Sequence, residues 1–321
     1  MKQRNFWLSL NKPILALAPM AGVSDLAFRQ ICKKYGADVV YTEMISADGL
    51  HYDAKKTLAM LKLAPAEHPV VIQLFGKRPE VFAKAAKIAT KAGFDGIDLN
   101  FGCPAKKVTA HGGGVTLMRD LKLCRKIVET VCLNTKLPVS VKIRSSINLV
   151  DSKKRVTALN FIKAIQGLPV SAVMIHGRSY ELPFSGLPDY RMIKKVKKLF
   201  GGIVLGNGGI FTPELAKIML EKTGVDGLGL ARGLYGRPWL FTQLKDYLAT
   251  GEFKEFKFNK IKKVMLAHAR LAFKAKGEYG LIELRKHLAW YVKGLPQAVE
   301  LRNKLVVSKS VKDIESILKK F

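Results

Sequence analysis

Short apolar runs recur along this chain, separated by stretches whose apolar residues fall three and four apart. The short runs have strand lengths, and the intervening stretches have the period of amphipathic helices. Strands are predicted at Ile14–Met20, Val39–Met44, Val70–Gly76, Gly96–Gly102, Val139–Ser145, Ala172–Gly177, Gly202–Gly209 and Gly227–Gly233. Helices are predicted at Ser24–Tyr35, Pro79–Ala92, Arg119–Leu133, Lys153–Ile165 and Pro213–Glu221. Their starts carry helix signals: Ser24 before an apolar run, Pro79 after Arg78, and Thr212 before Pro213. Strand alternating with helix implies a parallel sheet, and eight units favour a closed (β/α)8 TIM barrel of the α/β class. An open doubly wound sheet would want GxGxxG after its first strand, where this chain reads APMAGVSD. After Leu240 no further strand pattern occurs and helical periodicity runs to the end. The division is therefore a barrel over residues 1–241 and a small all-helical domain over 242–321.

Polar residues sharpen this outline, because each strand ends in one that a core would not choose. The ends carry Pro19 and Met20, Glu43, Gln73, Asn100, Lys142 with Arg144, His176 with Arg178, Asn207, and Arg232. Polar groups at the same end of all eight strands point to one shared pocket, on the face where barrels place their active sites. The run GIDLNFGCP at 96–104 reads as a buried strand that stops and presents Cys103 just past its end. That thiol is either a buried structural cysteine or a reactive group. Lys142 stands inside the apolar run VSVKIRS, where an unpaired ammonium is costly, so it needs an ion pair or an anionic ligand. The last two strands, GIVLGNGGI and GLGLARG, end in glycine-rich turns. Barrels often hold a phosphate there with backbone N–H groups.

Charge adds a partner to the pocket. The 321 residues carry 55 Lys and Arg against 25 Asp and Glu, a net charge of +30. Such an excess suits a polyanion, nucleic acid before an anionic membrane. The stretch 242–321 has 18 basic and 8 acidic residues, little denser than the rest, so charge does not confine the partner to the tail. The four cysteines show no CxxC pair and no metal spacing, which suits a reducing, cytoplasmic compartment and no bound metal. Lys2 and Arg4 before an apolar stretch mimic a secretion signal, but Asn11, Lys12 and Pro13 interrupt it and the segment serves better as the first strand. No apolar run reaches the ~18 residues of a membrane span. A monomer is the default expectation.

In the tail, Leu281, Leu284, Leu288, Tyr291 and Leu295 share one helical stripe, read as the core of the small domain. Lys286, Trp290 and Lys293 fall on another face, which is either a solvated surface or a basic, aromatic surface for RNA.

Taken in order, APMAGVSDLAFR, TEM, IQLFG, DLNFGCP, VKIR, IHGR, GNGGI and GRPWLF resemble the tRNA-dihydrouridine synthases, and LRKHLAWYVKG is similar to their bacterial B-type branch. The resemblance covers nearly the whole chain. It implies an FMN-containing barrel with a helical tRNA-binding domain. It also implies NADPH-driven reduction of the C5–C6 double bond of D-loop uridines, with hydride passing from flavin N5 to C6. By this resemblance Ala18, Pro19 and Met20 hold the flavin ring, Gln73 its pyrimidine edge and Lys142 its N1–O2 side. Asn207, Gly208, Gly209, Ala231 and Arg232 bind its phosphate, with His176 nearby. Asn100 and Arg144 address the uracil, and Cys103 is the acid that protonates C5. Apart from the resemblance, Arg178 beside His176 and the basic, aromatic pair Lys286 and Trp290 are further candidates for contact with the substrate or its phosphates. The acid role of Cys103 needs a neutral thiol, whereas Lys106 and Lys107 close by in sequence would favour the thiolate. Two departures stand out: Ala231 replaces the glycine common before the phosphate-binding arginine, and HGGGV with His111 follows the cysteine turn. Two other functions compete: an FMN barrel acting on a free pyrimidine, and a non-enzymatic RNA-binding protein. Neither explains both the +30 charge and the set of pocket residues.

Overall fold

The computed structural model describes residues 5–150 and 154–321. Its strands are β1 (Ile14–Leu17), β2 (Val39–Ser46), β3 (Val70–Phe75), β4 (Gly96–Phe101), β5 (Val139–Arg144), β6 (Ser146–Asn148), β7 (Arg155–Thr157), β8 (Val170–His176), β9 (Ile203–Asn207) and β10 (Gly227–Leu230). All but β6 and β7 close a parallel barrel in the order β1-β10-β9-β8-β5-β4-β3-β2. The ring seals where Leu17 of β1 pairs with both Leu230 of β10 and Val40 of β2. The helices around it are α1 (Leu26–Lys34), α2 (Ala47–His51), α3 (Lys55–Leu58), α4 (Pro79–Lys91), α5 (Lys106–Thr109), α6 (Leu121–Leu133), α7 (Ala158–Ala164), α8 (Tyr190–Leu199), α9 (Pro213–Thr223) and α10 (Leu240–Thr250). The tail adds α11 (Phe258–Tyr291), α12 (Ala298–Val306) and α13 (Val311–Lys320).

All eight predicted barrel strands form. The differences lie at boundaries, and each has a local cause. β10 stops at Leu230 because Arg232–Leu234 winds into a 3-10 turn. Asp25, not Ser24, caps α1: its carboxylate accepts from the Phe28 N–H, while Ser24 Oγ is tied to Met20. Arg119 ends a 3-10 turn, and α6 begins after Asp120, which caps it. The helix predicted from Lys153 begins only at Ala158. Lys153 itself lies outside the described residues, and Arg155–Thr157 pairs antiparallel with Ser146–Asn148. α8 is a further helix with no counterpart among the predictions.

Side-chain parity explains why one end of this barrel collects polar groups. Successive strand residues face opposite sides. Leu15, Leu17, Ile72, Leu74, Ile97, Leu99, Val141, Ile143 and Val173 pack outward against the helices. Ile14, Ala16, Ala18, Val39, Tyr41, Val71, Ala172, Met174 and Leu205 pack together inside the barrel, with Trp7 in the same cluster. Continuing the inward parity toward the strand ends reaches Gln73, Asp98, Asn100, Lys142, Arg144, His176, Asn207 and Ala231. The barrel is thus apolar below and polar at its mouth. β2 is the exception: its register shifts between Tyr41 and Met44, so the apolar Met44 enters the mouth. Glu43, the polar end expected there, accepts from the Gly22 N–H and lines a separate cavity.

α10 buries Leu240, Phe241 and Leu244 in the barrel's outer core. α11 is broken at Gly277, whose φ of 60° and ψ of −141° no helix accommodates. A continuous helix would hold His268 and Tyr291 about 35 Å apart. His268 Nδ1 and Tyr291 Oη instead lie 3.1 Å apart, so the chain folds back at Gly277 into a hairpin. Leu281, Leu284, Leu288 and Tyr291 are buried in this tail, as their stripe predicts, together with Ala27 and Ile31 from α1.

Candidate active site

A cavity of about 410 Å³ opens at the C-terminal ends of the strands. Ala18, Pro19 and Met20 line it after β1, Gln73 from β3, Asn100 and Cys103 from β4, and Lys142 and Arg144 from β5. His176, Asn207, Ala231 and Arg232 close the far side. A recess of about 30 Å³ adjoins it, formed by His176, Asn207, Gly208, Gly209, Ala231, Arg232 and their neighbours. The cofactor positions expected from the sequence therefore converge on two connected spaces. Arg178 is buried beside them.

Among the described residues no carboxylate lines either space, whereas Lys142, Arg144 and Arg232 do. That imbalance asks for an anionic occupant. The recess has the features of a phosphate cradle. Gly208 and Gly209 both adopt positive φ, 106° and 77°, which side chains rarely tolerate. A Cβ on Gly208 would also lie 3.0 Å from the His176 ring. Burial and the surrounding Lys142, Arg144, Arg178 and Arg232 lower the His176 pKa to about 2, so the imidazole is neutral. Its Nδ1 accepts from the Arg178 N–H at 3.1 Å, which leaves the proton on Nε2 as a donor. Arg178 Nε is held by the carbonyls of Ser185 and Gly186, but its buried Nη1 has no partner among the described residues. An unsatisfied buried guanidinium nitrogen beside a glycine turn fits a phosphate acceptor. Ala231 sits at this turn with a φ of −130°, outside the left-handed region that favours glycine.

At the other side of the cavity, hydrogen bonds run in one direction. Asp98 lies fully buried under the floor and accepts from Ser140 Oγ at 2.6 Å and from Gln73 Nε2 at 2.6 Å. Gln73 Oε1 accepts from Asn100 Nδ2 at 2.8 Å. Asn100 Oδ1 in turn accepts from the backbone N–H groups of Gly102 and Cys103. Asn100 thus holds the cysteine turn. Arg144 braces the same turn by donating from Nε to the Gly102 carbonyl at 2.8 Å. Asp98 was not among the expected site residues. Its signal was present: an acid inside the apolar run GIDLNF.

Burial pushes the Cys103 thiol up, against the opposing effects of the Ala105 N–H, Lys142 and Arg144. Lys106 and Lys107 are exposed on α5 and do not figure among the groups acting on the thiol. The expected conflict between an acid and its lysine neighbours therefore does not arise. Lys142 is lowered to about 8 by burial and by Arg144, and its Nζ donates to Asn207 Oδ1 at 3.1 Å.

Lys286 and Trp290 sit outside the cavity. The Lys286 ammonium approaches Gly22 in the loop after β1. Trp290 stacks on Tyr235, centroid to centroid 4.0 Å at 2°, and Tyr235 lines the cavity. One face of Trp290 is therefore covered, and the tail reaches the pocket through an aromatic pair. Tyr235 was likewise not anticipated. Its place in LYGRPW carries no pattern of its own.

A family profile described as dihydrouridine synthase (Dus) matches residues 16–320. The chain belongs to the dihydrouridine synthase family. It is 35% identical over 320 residues to a probable tRNA-dihydrouridine synthase 1 of Synechocystis, covering 97% of this chain and 86% of the relative. It is 36% identical over 290 residues to tRNA-dihydrouridine synthase B of Pseudomonas aeruginosa, covering 90% and 86%. The fold also resembles the old yellow enzyme homologue from Zymomonas mobilis, with a TM-score of 0.54 at 13% identity over 77% of this chain and 92% of that one. Histamine dehydrogenase from Rhizobium gives 0.56 at 14% identity, covering 80% of this chain but 49% of that chain. At such identities these two likenesses speak for the barrel alone. Among the described residues of this dihydrouridine synthase family member, no helix is long and apolar enough to cross a membrane, and no cluster of His, Cys, Asp and Glu is placed to hold a metal.

Proposed function

We propose that this protein reduces the C5–C6 double bond of uridines in the D-loop of tRNA, with FMN as bound cofactor and NADPH as reductant. The observation that carries the proposal is the neutral Cys103 thiol, fixed at the rim of a cation-lined, carboxylate-free cavity that adjoins a glycine cradle. Family membership and relatives named tRNA-dihydrouridine synthases support the substrate assignment.

Reduced FMN, when bound, supplies the hydride that reaches C6 of the uracil. The protein's own residues do the rest. Gly208 and Gly209 offer backbone N–H groups to the phosphate, and His176 Nε2–H, Arg178 and Arg232 add donors and charge. Ala18, Pro19 and Met20 form an apolar wall for the ring system. Lys142 places positive charge where a reduced flavin ring carries negative charge. Gln73 has one amide N–H and one carbonyl lone pair left after its bonds to Asp98 and Asn100. Asn100 is fully engaged, donating to Gln73 Oε1 and Met44 Sδ and accepting from the Gly102 and Cys103 N–H groups, so it acts by holding the cysteine turn. Cys103 holds the proton destined for C5, and its raised pKa keeps that proton in place at neutral pH.

The protein should purify yellow and form dihydrouridine in tRNA. Cys103→Ala should keep its flavin and lose about 10²-fold or more in turnover on tRNA, the usual worth of a general acid. Turnover of the variant equal to wild type would remove the acid role. A colourless protein that FMN cannot reconstitute would remove the enzyme. Efficient reduction of free uracil without RNA would replace tRNA by a free pyrimidine.

A further inference from the structure

The loop from Gly177 to Pro188 leaves β8 and runs along the cavity mouth. It is tied down along its length. Ser179 O accepts from Arg144 Nη1 at 3.1 Å, and the Tyr180 N–H donates to Ser146 O at 2.9 Å. Glu181 Oε1 accepts from the Asn148 N–H at 2.6 Å, and the Ser185 and Gly186 carbonyls accept from Arg178 Nε. On this anchored loop Phe184 lines the cavity, yet its side chain is 62% exposed. The Arg232 guanidinium carbon lies 4.9 Å from its ring centroid. The same guanidinium lies 5.9 Å from the ring of Phe211, also exposed. Arg232 thus backs Phe184 from one side, and much of the ring remains open to solvent at the entrance.

A ring held by a cation on one side and free on the other is a platform for a flat partner. We propose that Phe184 stacks an unpaired nucleobase next to the uridine that enters the cavity. The inference rests on the tRNA reading above. The chemistry favours a nucleobase over a peptide or a second protein. The entering uridine must leave its stack, which exposes the face of its neighbour and costs a few kcal/mol. An aromatic platform recovers much of that cost without regard to sequence. The Arg232 guanidinium behind the ring keeps this entrance positive, which favours a polyanionic chain over a neutral one. Anchoring the loop beforehand lowers the ordering cost when RNA arrives.

The test compares wild type, Phe184→Ala, Phe184→Leu and Phe184→Trp on full-length tRNA. Flavin content serves as the check that each variant folds. Phe184→Ala should lose about ten-fold in kcat/KM on tRNA, the scale of one stacked base. Phe184→Trp should recover most of this, and Phe184→Leu little. A second arm uses tRNA made with an abasic nucleotide on one side or the other of the target uridine. At one of the two positions the abasic tRNA should lower wild type about ten-fold and leave Phe184→Ala no worse than it is on intact tRNA. If Phe184→Ala matches wild type, or Leu restores activity as well as Trp, Phe184 is not a stacking platform. Independent losses from Phe184→Ala and from the abasic nucleotide at both positions would also overturn the inference. A wild type without activity on tRNA would instead fail the parent reading, and this inference with it.

Discussion

At the scale of the residue, the position of one proton depends on a carboxylate two amides away. Asp98, its pKa raised to about 6 by burial, accepts on both oxygens, from Ser140 Oγ on one and from Gln73 Nε2 on the other. Gln73 must therefore turn its NH2 toward Asp98 and its carbonyl toward Asn100. Asn100 must then offer its own carbonyl to the Cys103 N–H. Asp98→Asn can donate as well as accept, so it no longer fixes either amide. We expect turnover on tRNA to fall by up to about 10²-fold, as small misplacements of reacting groups do, while affinity for tRNA stays put. Wild-type turnover in Asp98→Asn would show that the amides are oriented by something else. The thiol gives a second measurement with a definite sign. A proton donor works while protonated, so turnover should hold through neutral pH. On the alkaline side Lys142, lowered to about 8, loses its charge before the raised thiol loses its proton, so alkylation is the measurement that reads Cys103 itself. Alkylation of Cys103 needs the thiolate and should rise as pH rises through the raised Cys103 pKa. If alkylation already levels off below pH 8, the buried neutral thiol is wrong. Lys106 and Lys107 suggested a depressed pKa because sequence distance was the only distance available. The fold supplies the true one, with both lysines on the outside of α5.

At the scale of the element, the barrel was legible because eight apolar strands alternate with helices, and most of them continue their inward parity into a polar residue at the same end. The pocket followed from that regularity, and so did Gln73, Asn100, Lys142, His176 and Asn207 within it. What escaped was irregular. The β6–β7 ribbon replaces a helix start because Ser146–Asn148 finds a partner across a loop, and three-residue strands carry too little periodicity to read. The HGGGV segment looked like a departure of unknown effect, and the structure gives it a purpose. Gly114 has a φ of 62°, and a Cβ there would fall 2.6 Å from the Cys103 carbonyl oxygen. The Val115 N–H donates to that same oxygen at 3.1 Å. The glycine-rich loop is thus the seat on which the cysteine turn rests. Gly114→Ala should be strained by about 1–2 kcal/mol from the left-handed backbone alone. It should also push the Cys103 carbonyl away. The expected result is a lower melting temperature and reduced turnover on tRNA with flavin still bound. A variant as stable and active as wild type would mean that the turn absorbs a methyl group without moving the thiol.

At the scale of the whole molecule, the net charge of +30 acts in two places with different physics. Inside, Lys142, Arg144 and Arg178 are buried or nearly so, and each has its pKa lowered first of all by burial. Their charge is shielded from salt and is available to a small anion. Outside, Lys106, Lys107 and many other basic side chains lie exposed on barrel and tail alike. Their charge is screened within about a Debye length, ~10 Å at 0.1 M salt. If that outer charge binds RNA, it does so by releasing counterions from phosphates, and affinity must fall as a power of salt concentration. With some six phosphates neutralised, affinity for tRNA should weaken about 10³-fold between 50 and 200 mM salt. Retention of flavin should barely change over the same range, because the groups proposed to hold it line a recessed cavity rather than the open surface. Equilibrium binding of tRNA at several salt concentrations, with flavin absorbance read on the same samples, separates the two. A tRNA affinity that falls less than about ten-fold would mean that shape and stacking, not surface charge, hold the RNA. The exposed lysines would then be a solvated surface without a role in recognition. Flavin lost in step with tRNA would mean that the inner cations are not sheltered as their burial implies.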